Sequence, residues 1–286
     1  MGRWVIALLA AGVALAAASA RAEVVLSPTV YASHKLPSNG ITSFTVTCPP
    51  GYAAVSAGVS TPAPGTTLLG TTPAGLRAYT FRFGNPATNG ARRVTVAAAC
   101  RKVRAGRPVL KVKPVKLRLR IKPGTVKTAT LPCPSQTTPA GSGVDLAPAG
   151  PKSARAFAGG SPLSLRASTA SLRGFSFAIR NAGRRARDAV AYGTCLTVVR
   201  AAGTAAEPLR VEITTFTDPV NPGLQRIGHA CRAGWFSLGA GYTTSSRAVT
   251  VPAAAAIDGR GKWSVANRSD SATTVGVQLV CGRLGG

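Results

Sequence analysis

From residue 23 onward, apolar and polar positions alternate with a period of two, in short runs rich in Val, Thr, Phe and Leu and bounded by Gly, Pro, Asn and Ser. The clearest are Ile41–Thr47, Tyr79–Phe83, Arg93–Ala98, Val211–Thr215 and Thr273–Val280. Side chains along a strand point alternately to its two faces, so these runs predict half-buried strands; in the last, Val275, Val277 and Leu279 point inward. Leu110–Lys122 has the same period, and its polar positions are all basic: Lys111, Lys113 and, beyond a break at Pro114, Lys116, Arg118, Arg120 and Lys122. It predicts a strand with a cationic outer face. Apolar spacing of helical period is almost absent past residue 22, and short strands without helical spacers predict an all-β sandwich or barrel.

Registering the chain on its cysteines exposes an internal repeat. The segments starting at Cys48, Cys133 and Cys231 read CPPGYAAVSAGV, CPSQTTPAGSGV and CRAGWFSLGAGY, with Gly58, Gly143 and Gly241 in register without a gap. A second motif follows in each unit: an aromatic, an apolar residue two on and an asparagine four on, at Phe81…Asn85, Phe177…Asn181 and Trp263…Asn267. Another cysteine lies 14 or 15 residues past each asparagine, at Cys100, Cys195 and Cys281. Each unit thus holds one early and one late cysteine, 52, 62 and 50 residues apart. Of 15 connectivities the economical one joins Cys48 to Cys100, Cys133 to Cys195 and Cys231 to Cys281. The units span 23–105, 106–205 and 206–286, each long enough for about six strands. Cysteine spacing resembles that of an immunoglobulin domain, but the repeated aromatic precedes the second cysteine instead of following the first. The expected architecture is three tandem disulfide-bonded, sandwich-like modules. A single pseudo-threefold β-prism or trefoil is the alternative.

The opening 22 residues change the setting. Arg3 is followed by the uncharged stretch Trp4–Ala20 and by small residues around Ala20 and Ala22, the form of a cleaved signal peptide (1–22). No later run is long enough to span a bilayer, so a secreted or surface-bound chain without a transmembrane segment is expected, with its six cysteines oxidised. The formal net charge is +27. That balance favours anionic cell-wall polymer or acidic polysaccharide as partner. No reader motif marks a specific nucleic-acid partner.

The pattern C-P-x-G…G-x-G, then aromatic-x-apolar-x-Asn, then V-x-V-x-x-x-C resembles a cysteine-paired repeat of secreted proteins from high-GC Gram-positive bacteria. The resemblance covers nearly the whole chain beyond residue 22 and implies an extracellular β-rich module; it carries no activity. Gln136 stands where the pattern has glycine, and Arg232 follows the third unit's cysteine where the pattern has proline.

Catalytic chemistry finds little footing. Eight acids (none recurring at a repeat position), two non-equivalent histidines and no GxSxG or HExxH motif point to a non-enzyme without metal or cofactor. Asn85, Asn181 and Asn267 read as turn residues, with three equivalent sugar sites as the functional alternative. Phe81, Phe177 and Trp263 read as core. Trp235 and Phe236, adjacent after a glycine turn, are the candidate carbohydrate-stacking pair. The expected function is structural or adhesive, on anionic envelope polymers, through Lys111, Lys113, Lys116, Arg118, Arg120 and Lys122; a carbohydrate-binding protein with repeated weak sites is the alternative.

Overall fold

A computed structural model describes residues 23–26, 29–86, 88, 90–104, 108–146, 163–200 and 209–284. The expected signal peptide lies outside them. The first repeat contains β1 (Glu23–Leu26), β2 (Val30–Leu36), β3 (Gly40–Thr47), β4 (Ala53–Thr61), β5 (Thr67–Pro73), β6 (Ala78–Asn85) and β7 (Arg92–Arg104). The second contains β8 (Pro108–Ile121), β9 (Val126–Pro132), β10 (Thr138–Asp145), β11 (Leu163–Ser171), β12 (Gly174–Asn181) and β13 (Arg187–Arg200). The third contains β14 (Leu209–Val220), β15 (Gly223–Ala230), β16 (Phe236–Thr243), β17 (Val249–Ile257), β18 (Arg260–Asn267) and β19 (Thr273–Leu284). The all-β expectation holds, and every run read as a strand lies in one, except that Lys122 falls just past the end of β8.

One pairing scheme recurs three times. In each repeat the long last strand (β7, β13, β19) is flanked by the first strand and the third, giving a leaf of β1/β2–β7–β4, β8–β13–β10 or β14–β19–β16. The second, fifth and fourth strands form the facing leaf: β3–β6–β5, β9–β12–β11 and β15–β18–β17. The early cysteine follows the second strand and the late one sits in the last, so each disulfide ties the two leaves together. The bonds are Cys48–Cys100, Cys133–Cys195 and Cys231–Cys281, all within a repeat, and no described cysteine is free. Phe81, Phe177 and Trp263 fill the space between the leaves, each at most 1% exposed.

Sheets also cross the repeat boundaries. β10 pairs with β5 of the first repeat, and β16 pairs with β11 of the second. β4 meets β17 of the third: Ser56 Oγ donates to the Ala256 carbonyl at 3.3 Å. The third strand of every repeat therefore lies beside the fourth strand of another, and the contacts close in a ring. The recurrent glycine makes the closure sterically feasible. A Cβ on Gly58, Gly143 or Gly241 would overlap the carbonyl oxygen of Ala254, Thr71 or Ser168, each on that neighbouring strand.

At the centre of the ring all three repeats share a core. Val55, Ala140 and Leu238, each seven residues after its early cysteine, pack with Ala99, Leu196, Phe236 and Val280. The first strands of the second and third repeats, β8 and β14, reach this core with part of their length and their own repeat's core with the rest. On β8, Leu110 and Val112 pack centrally, whereas Val115, Leu117, Leu119 and Ile121 pack between the leaves of the second repeat. The ladder to β13 runs without a register shift from Pro108 to Ile121.

Candidate functional site

Exposed cations run along β8 of the second repeat. Lys111, Lys113, Lys116, Arg118, Arg120 and Lys122 are all exposed, as the sequence suggested. The single cationic face needs correction. Pro114 stays in the ladder opposite Thr194, so alternation passes through it unbroken. Lys111 and Lys113 accordingly face the opposite side of β8 from Lys116, Arg118 and Arg120, and Lys122 lies just past the strand end. Adherence through one surface must draw its partners from elsewhere, and the structure supplies them.

Those partners come from the loop between β12 and β13. Asn181 is fully buried, and its amide donates to the carbonyls of Ile121 (3.1 Å), at the end of β8, and Arg185 (2.9 Å), in that loop; its Oδ1 accepts from Gly183 N–H at 2.9 Å. The clip draws the exposed Arg184, Arg185 and Arg187 to the end of β8, where Arg187 stands opposite Ile121. Lys127 donates to the Arg120 carbonyl at 3.2 Å. Six exposed cations, Arg120, Lys122, Lys127, Arg184, Arg185 and Arg187, thus share this end with one acid among the described residues, Asp188, which pairs with Arg120 at 3.0 Å. The Arg184–Arg187 run was visible in the sequence, but nothing local said that an asparagine would fold it onto a strand end.

The other recurrent asparagines do the same work. Asn85 donates to the carbonyls of Leu36, Pro37 and Gly90, and Asn267 to those of Val220 and Ser271. At 1%, 0% and 3% exposure, none of the three can touch a sugar from solvent. The turn reading holds, with the addition that each amide is a buried fastener.

The aromatic pair separates. Phe236 begins β16 and points into the central core, 7% exposed, because residues five and seven past the cysteine face the ring axis. Its expected exposure is therefore overturned. Trp235 is half-buried beside the Cys231–Cys281 bridge, with the guanidinium of Arg232 5.0 Å and that of Arg283 5.3 Å from its ring centroid. Tyr52 holds the equivalent position in the first repeat beneath Lys102, at 5.6 Å. Cations occupy the aromatic surfaces that stacking on a sugar would need.

The histidines are packing residues. His34 stacks on Phe44 and His229 on Phe216, both at 3.7 Å, and His229 bonds Asp218 at 2.9 Å. Of the remaining acids with described side chains, Asp145 pairs with Arg82, Glu212 with Arg232, and Asp258 accepts from Thr29 and Tyr31. Among the described residues no group of three or more His, Cys, Asp or Glu side chains could hold a metal ion, and no helix is long and apolar enough to cross a membrane.

A cavity of about 400 Å³ lies where the third and fourth strands of the repeats converge. Equivalent residues from all three repeats wall it: Ala57, Ser142 and Ala240, then Val59, Val144 and Tyr242. Leu68, Phe83, Leu146, Leu163, Leu165 and Val251 complete an apolar lining. Arg268 is the one charged group among its described lining residues.

No protein-family model and no curated protein matches the chain. Two solved structures align at 10% identity, one from a study of the triple jelly roll fold and turret assembly in an archaeal virus, the other of Sulfolobus turreted icosahedral virus. Each alignment covers 91% of this chain and 84% or 85% of the other, with TM-scores of 0.21 and 0.20.

Proposed function

We propose that this is a secreted, non-enzymatic protein that adheres by charge to anionic polymers of a cell envelope. The carrying observation is the basic end of the second repeat, where six exposed cations from two segments are fixed together by the buried Asn181 and face a single acid. Like charges held this close raise the local potential, and a bound polyanion relieves their repulsion. At physiological salt the screening length is about 8 Å, so a contact-range cluster holds a polymer that dispersed charge does not. The three disulfides fit an oxidising, extracellular setting. Carbohydrate stacking is the weaker reading, because Phe236 and the three asparagines are buried and Trp235 is covered by guanidinium groups.

Retention on immobilised teichoic acid, heparin and DNA at rising ionic strength tests the proposal. Affinity should fall steeply with salt and depend little on which polyanion is used. Changing Arg120, Lys122, Lys127, Arg184, Arg185 and Arg187 to glutamine should cut the log–log salt slope on DNA by roughly 5, since each phosphate contact contributes about 0.9. Undiminished binding by this variant, or binding that survives molar salt, would refute the proposal.

A further inference from the structure

We propose that the cavity where the third and fourth strands of the three repeats converge binds an amphiphile: an aliphatic chain among the apolar walls, with one anionic head group held by Arg268. This reading stands apart from polyanion adhesion and uses none of the six cations assigned to it.

The cavity is built into the fold. The recurrent glycines bring the third strand of each repeat against the fourth strand of its neighbour, and the small side chains one position earlier, Ala57, Ser142 and Ala240, line the space left beside them. A volume of about 400 Å³ falls within the usual range of small-molecule sites, which are largely apolar with a few convergent polar groups.

The lining selects the ligand class. Among the described residues it contains no carboxylate, carboxamide, imidazole or indole. Several of its hydroxyls are already engaged: Ser142 with Ser168 at 2.8 Å, Thr66 with the Ala63 carbonyl at 2.7 Å, and Tyr242 with the Leu165 carbonyl at 3.4 Å. A sugar would bring many hydroxyls against a lining made mainly of aliphatic and aromatic side chains and leave part of them unmatched at a cost. An alkyl chain meets Leu68, Phe83, Leu146, Leu163, Leu165 and Val251 without that penalty.

Arg268 sets the polarity of the head group. It is exposed, follows the clip asparagine Asn267, and its guanidinium has no bonding partner among the described residues. Its position at the mouth follows from strand direction. Each third strand runs antiparallel to the last strand, so its closing residues point toward the loop that precedes that last strand. Those closing residues wall the cavity, and Arg268 belongs to the corresponding loop of the third repeat. A carboxylate or phosphate there gains a charge-assisted bidentate pair.

The test is calorimetric titration of the full chain, disulfides intact, with decanoate and with 1-decanol below their aggregation concentrations, in 0.5 M salt to suppress binding at the basic end. Decanoate should bind at one site per chain. Arg268→Gln should weaken decanoate about tenfold and leave decanol unchanged, the loss of one charge-assisted interaction. The double variant Ala57→Phe/Ala240→Phe should abolish binding of both ligands, and an unaltered melting profile would show that the fold is intact. The six-residue glutamine variant of the basic end should bind decanoate like the parent. The proposal is overturned if neither ligand saturates the folded parent protein, or if decanoate binding is indifferent to Arg268→Gln.

Discussion

Asn181 shows how a single side chain joins fold to site. Its amide satisfies two backbone carbonyls that no water reaches, so Asn181→Ala leaves Ile121 and Arg185 without a donor and Gly183 N–H without its acceptor. Unmatched buried polar groups cost about 1–3 kcal/mol each. A loss of about 3 kcal/mol is expected in denaturant titration, together with weaker heparin retention as the Arg184–Arg187 loop leaves the end of β8. Tyr79 makes a second prediction. Burial pushes its hydroxyl up to about 12, while in the unfolded chain it titrates near 10.0. The folded state thus keeps a proton that the unfolded state has lost, and the stability this contributes, complete below pH 10, disappears as pH rises toward 12. Buried Tyr242 shifts in the same direction. Buried Arg101, lowered to about 10, acts oppositely: above pH 10 the unfolded chain holds more protons, so its share of stability rises with pH. Two tyrosines outweigh one arginine, and unfolding free energy should fall above pH 10. Tyr79→Phe should flatten that decline while costing about 1 kcal/mol at neutral pH through the lost hydrogen bond to Thr194. The repeated asparagines were legible in the sequence as a spacing; their burial was not, because the carbonyls they bind lie about 50 to 60 residues upstream as well as nearby.

At the scale of the element, the sequence spoke most clearly for strands with large side chains. β3, β6, β14 and β19 alternate Val, Thr, Phe and Ile and were read directly. The third and fourth strands are harder: AAVSAGVST in β4 and VTVPAAAAI in β17 carry little β signal. Their small residues answer to the ring contact, where a neighbouring backbone takes the space of a side chain. The face exchange along β8 was hidden for a related reason. A polar residue opposite a distant core and one opposite solvent look alike in one dimension, so Lys111 and Lys116 were placed together. The glycine explanation is open to a direct comparison. Gly143→Ala puts a methyl into the Thr71 carbonyl, where backbone must move, and should cost about 3 kcal/mol. Gly124→Ala, at a positive φ of 68° with no atom within 4 Å of the new Cβ, meets only the left-handed backbone penalty, about 1 kcal/mol. Equal losses would mean that conformation, not close approach, keeps Gly143 in place.

The whole molecule differs from a linear array of repeats in having no end. In a solenoid each unit touches only its neighbours, and stability is a sum of local terms. Here the first repeat meets the third as it meets the second: Ser56 bonds the Ala256 carbonyl, Ala253 packs into the first repeat's core, and Thr29 bonds Asp258 at 2.6 Å. The central core takes Val55, Ala140 and Leu238 from three repeats, so opening any one exposes apolar surface on the other two. Thermal unfolding should therefore be one cooperative transition, with equal calorimetric and van't Hoff enthalpies. Replacing Cys231 and Cys281 by alanine removes a cross-link spanning 50 residues, worth about 4 kcal/mol in the chain-entropy description. The loss should lower the midpoint of the whole transition and leave its shape single. Should scanning calorimetry instead resolve two or three transitions, with only one displaced by the cysteine replacement, the repeats unfold separately and the ring contacts contribute little beyond holding them side by side.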